Sequence, residues 1–211
     1  MYPETIDRQT KRVLEKIKEL ELLEGFYLAG GTALAIECGH RTSIDLDFFS
    51  KENFDRAILK HELVNAGEVT VVGEEEGTLH CVIDGVKVSF LQYPYALSFD
   101  PVDFDGIRLA DPRDIAAMKI DAISSRGSKK DFIDLFILLK EYSLQELIGF
   151  FEKKFNDIRY NKLHILKSLT FFDDAESEPM PMMLVDVKWE EVKKTVIGKV
   201  LEFEKKAPAT D

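Results

Sequence analysis

Apolar positions recur at two different spacings, and the change between them divides the chain. Residues 4 to about 24 set Ile6, Val13, Leu14, Ile17 and Leu20 near a helical period, predicting an amphipathic helix that Gly25 ends. Phe26-Tyr27-Leu28 then reads as a strand, Gly30-Gly31 as a sharp turn, and Thr32 onward as a short helix stopped by Gly39. In the following strand Ile44, Leu46 and Phe48 face one way, Asp45 and Asp47 the other. A helix capped by Ser50 or Asn53 is expected to run to about Asn65, with Gly67 as its stop. Residues 68–72, 79–83 and 86–93 are β-type runs, and Asp84-Gly85 joins the last two as a hairpin. Residues 94–106 read as an ordered loop leading to Ile107-Arg-Leu109.

From Asp111 the helical period prevails. Asp111-Pro112 opens a helix to about Ser125. Arg126-Gly127-Ser128 breaks it, and a second helix starts near Lys130. Helices are expected at 143–155 and 159–169, an acidic, proline-bearing loop at 170–186, and a final helix from Trp189 to Lys205. Residues 207–211 read as a flexible tail. Trp189 and the Met180, Met182, Met183 cluster read as packing. The prediction is an α+β chain with a mixed α/β core over 1–110 and a helical region over 111–206.

Charge narrows the function. The 211 residues carry a net charge of −11, which argues against broad, sequence-independent binding to nucleic acid and leaves room only for a local basic patch. No apolar run is long enough to span a bilayer, and Met1-Tyr-Pro-Glu-Thr-Ile-Asp lacks a signal-peptide profile. Two cysteines in unrelated contexts, Cys38 and Cys81, read as reduced. A cytoplasmic protein with no membrane partner is the expectation.

Four places carry candidate chemistry. Gly30-Gly31-Thr32 before a helix suits a phosphate, because free N–H groups and the helix dipole favour an anion there; it also suits a bare tight turn. Asp45 and Asp47 repel one another on one strand face, and a divalent cation removes that cost. A phosphate turn followed by a pair of metal-binding acids makes the two halves of a metal–nucleotide site. Lys119 lies among apolar neighbours, as a phosphate contact, a lysine reaching to solvent, or a salt-bridge partner of Asp114 or Asp121. Arg126-Gly-Ser-Lys-Lys130-Asp131 is either a solvated helix start or a patch for a triphosphate or an acidic acceptor. In the second case Asp131 orients the lysines or acts as a base, and Asp134 shares the ambiguity. Of His40, His61, His80 and His164, none has metal-ligand spacing, and His40 alone lies near the expected site.

In order, Gly30-Gly31-Thr32-Ala-Leu34, His40-Arg41-Thr-Ser43-Ile-Asp45-Leu-Asp47-Phe-Phe49, Asp114-Ile-Ala-Ala-Met-Lys119 and Arg126-Gly-Ser-Lys-Lys130-Asp131-Phe-Ile-Asp134-Leu resemble the AbiEii/AbiGii-type nucleotidyltransferases. These belong to the DNA polymerase β-like superfamily. The resemblance covers about residues 10–140. It implies a minimal nucleotidyltransferase fold, a short mixed sheet flanked by helices, with a helical C-terminal region completing the active site. It implies transfer of NMP from an NTP with Mg²⁺ or Mn²⁺, to an acceptor that in several members is tRNA, by the toxin of a toxin–antitoxin pair. Gly30, Gly31 and Thr32 would hold the triphosphate, with Arg41, Ser43, Arg126 and Lys130 as further nucleotide contacts. Asp45 and Asp47 would bind the metal, Lys119 would meet nucleotide phosphate, and Asp131 would be an active-site acid. One position departs from the pattern: where a third carboxylate is usual, the strand from Val86 carries Ser89, so either Ser89 acts through water, another acid such as Asp131 substitutes, or the site is weakened. Two other classes follow from the same residues. One is a degenerate, non-catalytic nucleotide-binding or interaction module. The other is a sugar-nucleotide transferase, since Asp-x-Asp also serves glycosyl transfer.

Overall fold

A computed structural model describes residues 1–206, except the side chains of Glu21 and Leu22. The expected tail at 207–211 lies outside the described residues. The chain divides into two compact units, Met1–Asp111 and Pro112–Asp211.

The first unit is built on a seven-stranded mixed sheet. Its elements are α1 (Arg8–Lys18), β1 (Tyr27–Ala29), α2 (Gly30–Cys38), β2 (Leu46–Ser50), α3 (Arg56–Leu63), β3 (Val69–Glu75), β4 (Thr78–Ile83), β5 (Val86–Gln92), β6 (Val102–Phe104) and β7 (Ile107–Leu109). The strand order is β3-β4-β5-β2-β1-β7-β6. β2 runs parallel to β5 and antiparallel to β1. Leu46, Phe48 and Ser50 are buried on one face of β2, and Phe48 stacks on Phe90 of β5 at 5.3 Å. That burial fixes the register, since a one-residue slip would turn Asp47 into the core.

Several boundaries differ from the sequence expectation. The first helix starts later and ends sooner, because Asp7 caps it by accepting from the Thr10 N–H and Leu20 is extended. Asp55, not Ser50 or Asn53, caps α3, accepting from the N–H groups of Ala57 and Ile58. The 94–106 stretch is not all loop: Val102–Phe104 pairs with Ile107–Leu109. Asp105 and Gly106 both take positive φ, 50° and 84°, as Asp84 and Gly85 do in the other hairpin at 46° and 82°. Ile44 precedes β2 and is 58% exposed, so the alternation begins only at Leu46.

The second unit is helical: α4 (Pro112–Ser125), α5 (Lys129–Leu138), α6 (Leu144–Lys154), α7 (Lys162–Ser168), α8 (Asp173–Glu176) and α9 (Trp189–Lys206). The short α8 lies inside the stretch expected to be loop. Ser143 and Glu146 form a reciprocal capping box at the start of α6. Ile115, Ile120, Phe132, Leu135, Leu147 and Val192 are buried. Trp189 closes an aromatic cluster, edge-on to Phe172 at 5.7 Å and to Phe132 at 6.1 Å. Of the methionines, Met180 and Met182 are 39% and 72% exposed and Met183 is half-buried.

Candidate active site

Ala29 ends β1 in an extended conformation, and Gly30 turns the chain into α2 with a φ of +69°. Among the described residues no side-chain cap closes this helix start. Gly30 borders the acids: a Cβ placed on it would sit 3.4 Å from Asp47 Oδ2. A Cβ on Gly31 would collide with Arg41 Nη2. Arg41 is buried, with Nη1 donating to the Thr42 carbonyl at 3.1 Å. The turn therefore carries a guanidinium on one glycine and a carboxylate beside the other.

Thr32 is buried on α2, and its hydroxyl donates to the Asp45 carbonyl. Having given its one hydrogen there, it accepts from Ser43, 2.7 Å away. Thr32 and Ser43 thus fix the segment that delivers Asp45. Asp45 and Asp47 are both half-buried, Asp45 just ahead of β2 and Asp47 within it.

Across the sheet, Asp47 pairs with Ala29 on one side and Ser89 on the other, and Ser89 pairs with His80. Residues on one rung share a face, so Asp47, Ser89 and His80 line up. His80 Nδ1 lies 3.1 Å from Ser89 Oγ. Sequence reasoning missed His80, although counting outward from Asp84-Gly85 pairs Ile83 with Val86 and, three rungs on, His80 with Ser89.

Carboxylates are the donors that a hard divalent cation takes. Among the described residues no group of three His, Cys, Asp or Glu side chains converges on one point. Mg²⁺ typically takes one or two carboxylates and completes its shell with water and substrate phosphate. Asp45 and Asp47 are the carboxylates near the glycine turn that could enter such a shell, and Mn²⁺ accepts the same oxygens.

The remaining expected site residues belong to the helical unit. Lys119 of α4 is buried between two acids of α5, 2.8 Å from Asp131 Oδ1 and 2.6 Å from Asp134 Oδ2. Its salt-bridge partners are therefore not Asp114 or Asp121. Burial alone would push the Lys119 ammonium down, but Asp134 and Asp131 outweigh it and raise its pKa. Burial would push Asp131 up, and Lys119 outweighs it, leaving that carboxyl below its usual range. Ser128 caps α5 and donates to Asp131 Oδ2 at 2.7 Å; Arg126 Nε reaches the same oxygen at 3.6 Å. Lys130 is exposed, whereas its neighbour Lys129 is buried, its Nζ 5.1 Å from the Trp189 ring centre.

Fold and site define a nucleotidyltransferase: a mixed sheet whose glycine turn and acid-bearing strand meet at one place. The chain belongs to the AbiEii family, described as nucleotidyl transferase toxins of type IV toxin–antitoxin systems, whose model matches residues 12–109 and 92–208. An uncharacterised protein of Aquifex aeolicus is 38% identical over 204 residues, covering 94% of this chain and 97% of that one. Among solved structures, a Helicobacter pylori protein described as a nucleotidyltransferase aligns with a TM-score of 0.59 at 16% identity, covering 94% of this chain and 93% of that one. The nucleotidyltransferase toxin MenT4 of Mycobacterium tuberculosis aligns at 0.57 and 15% identity, covering 91% and 83%. The family match reaches beyond residue 140, where the sequence resemblance ends. The family implies an NTP substrate. Among the described residues no helix is long and apolar enough to cross a membrane.

Proposed function

We propose that this protein transfers NMP from a Mg²⁺-bound or Mn²⁺-bound NTP to an RNA end, with tRNA as the leading acceptor, as the toxin of a toxin–antitoxin pair in the cytoplasm. A cognate antitoxin is the expected partner. The observation that carries the reading is the approach of Gly30 to the Asp47 carboxylate, which sets a phosphate turn against a metal-binding acid. Asp45 and Asp47 would hold the cation, with Ser89 contributing through water. When bound, the metal polarises the phosphoryl oxygens and neutralises charge on the leaving pyrophosphate. The Gly30 and Gly31 amides and the Arg41 guanidinium receive the triphosphate. Thr32 and Ser43 keep Asp45 in place. Lys119, Arg126, Lys130 and Asp131 are the groups that the helical unit would bring to the nucleotide, as the family resemblance implies. Phosphoryl transfer asks mostly for positioning and charge neutralisation, and these residues supply both.

The test is incubation with each labelled NTP, Mg²⁺ and total RNA, with Asp45→Ala/Asp47→Ala as the control. Label should move to RNA with the parent protein and fall at least about 100-fold with the double variant. Transfer that survives the double variant sinks the proposal. A second reading, a binding module without turnover, draws on Ser89 standing where a third acid is usual. Metal-dependent NTP binding with no transfer to any acceptor favours it.

A further inference from the structure

We propose that a cleft in the helical unit is the acceptor subsite, taking an unpaired base and the adjoining phosphates of an RNA strand. This rests on the RNA-acceptor reading above and adds the place and chemistry of recognition. The cleft holds about 340 Å³ and lies between the C-terminal end of α4 and α7 with the turn that follows it. Arg126, His164, Lys167, Phe171 and Asp174 line it, with serine hydroxyls on its walls.

Its composition runs against the rest of the chain. Acids outnumber lysines and arginines 39 to 28 overall, yet the cleft gathers Arg126, Lys167 and His164 around a single acid, Asp174. Phe171 is 54% exposed and offers the cleft an aromatic face. Its spacing explains the face it joins. His164 and Lys167 are one turn apart on α7, and the chain keeps turning after Ser168, with the Phe171 N–H donating to the Ser168 carbonyl at 3.1 Å. An aromatic face bordered by cations suits base stacking with phosphates alongside, which is how single strands are held without sequence preference.

Two further contacts order the cleft's walls. Arg126 lines it and also lies 3.6 Å from Asp131 Oδ2, so its guanidinium is held at the cleft's edge. His164 Nε2 faces the Ser124 carbonyl at 3.3 Å; because a carbonyl only accepts, the proton is on Nε2 and the ring is held against the α4 wall.

The test compares the parent, Phe171→Ala, Phe171→Trp and Lys167→Glu by fluorescence anisotropy with a labelled single-stranded RNA oligonucleotide, alongside Mg²⁺–NTP binding by calorimetry and label transfer to total RNA. Phe171→Ala should weaken RNA binding about 5- to 100-fold, the range expected for losing one stacked base. Phe171→Trp should keep it. Lys167→Glu should weaken binding and flatten its salt dependence. NTP affinity should be the same in all four proteins. RNA affinity unchanged in Phe171→Ala, or lost equally in Phe171→Trp, overturns the subsite. A parent protein that binds Mg²⁺–NTP and modifies RNA while Phe171→Ala does so equally well overturns it too, with the functional reading intact. A parent that moves no label to RNA removes both.

Discussion

Asp114 and Asp45 are both aspartates among apolar neighbours, one in each unit, and they are treated in opposite ways. Asp114 is fully buried, and Lys154 meets it at 2.7 Å with its own side chain equally enclosed. Asp131 and Asp134 share Lys119 in the same manner. Asp45 is half-buried, and its carboxylate makes no ion pair among the described residues. Charge buried in the helical unit is compensated from within, because an isolated buried carboxylate would cost several kcal/mol. The Asp45 charge is kept near water, where a cation from solution could meet it. The first arrangement builds structure, and the second would leave capacity for the ligand of the proposed function.

Removing a lysine from the helical unit should break this contrast most forcefully. Lys154→Met removes the ammonium that meets buried Asp114 and should destabilise that unit by about 3–5 kcal/mol, read from chemical denaturation. Asp45→Asn, by comparison, should change stability by no more than about 0.5 kcal/mol. A large stability loss in Asp45→Asn would mean that this acid is structural. Next in size, Gly31→Ala displaces the Arg41 guanidinium from the turn and should weaken Mg²⁺–NTP binding about tenfold by calorimetry. Unchanged affinity would detach Arg41 from the phosphate site.

The smallest effect is set by pH. Glu37 of α2 has a buried Oε1 with no hydrogen-bond partner, and burial, aided by Asp111, pushes its carboxyl up to about 8 from an ordinary 4.5. Between those two pH values the folded state keeps a proton that the unfolded state has released. Stability therefore falls as pH rises through that window. Glu37→Gln should match the parent in thermal unfolding near pH 4.5 and melt a few degrees higher at pH 8. An equal shift at both pH values would rule out the titration of Glu37 as its cause.

Much of this was legible in the sequence, for identifiable reasons. Gly-Gly before a helix and Asp-x-Asp in an alternating strand are local signals, and the register of β2 follows from burying Leu46 and Phe48. Asp105-Gly106 was as readable as Asp84-Gly85, but its strands have only three residues each and carry little alternation. His80 beside Ser89 needed hairpin counting, and Arg41 over Gly31 needed three-dimensional space that no local pattern encodes. The pairing of Lys119 with Asp131 and Asp134 depends on how two helices pack. Sequence neighbours pointed instead to Asp114 and Asp121.

Calorimetry of NTP binding, with Mg²⁺ and with EDTA, for the parent and for Asp45→Asn/Asp47→Asn, tests most directly whether the strand-mouth acids await a metal–nucleotide. The account predicts binding by the parent with Mg²⁺ alone, lost with EDTA and lost in the double variant. Equal binding in EDTA, or binding untouched by the double substitution, would contradict it.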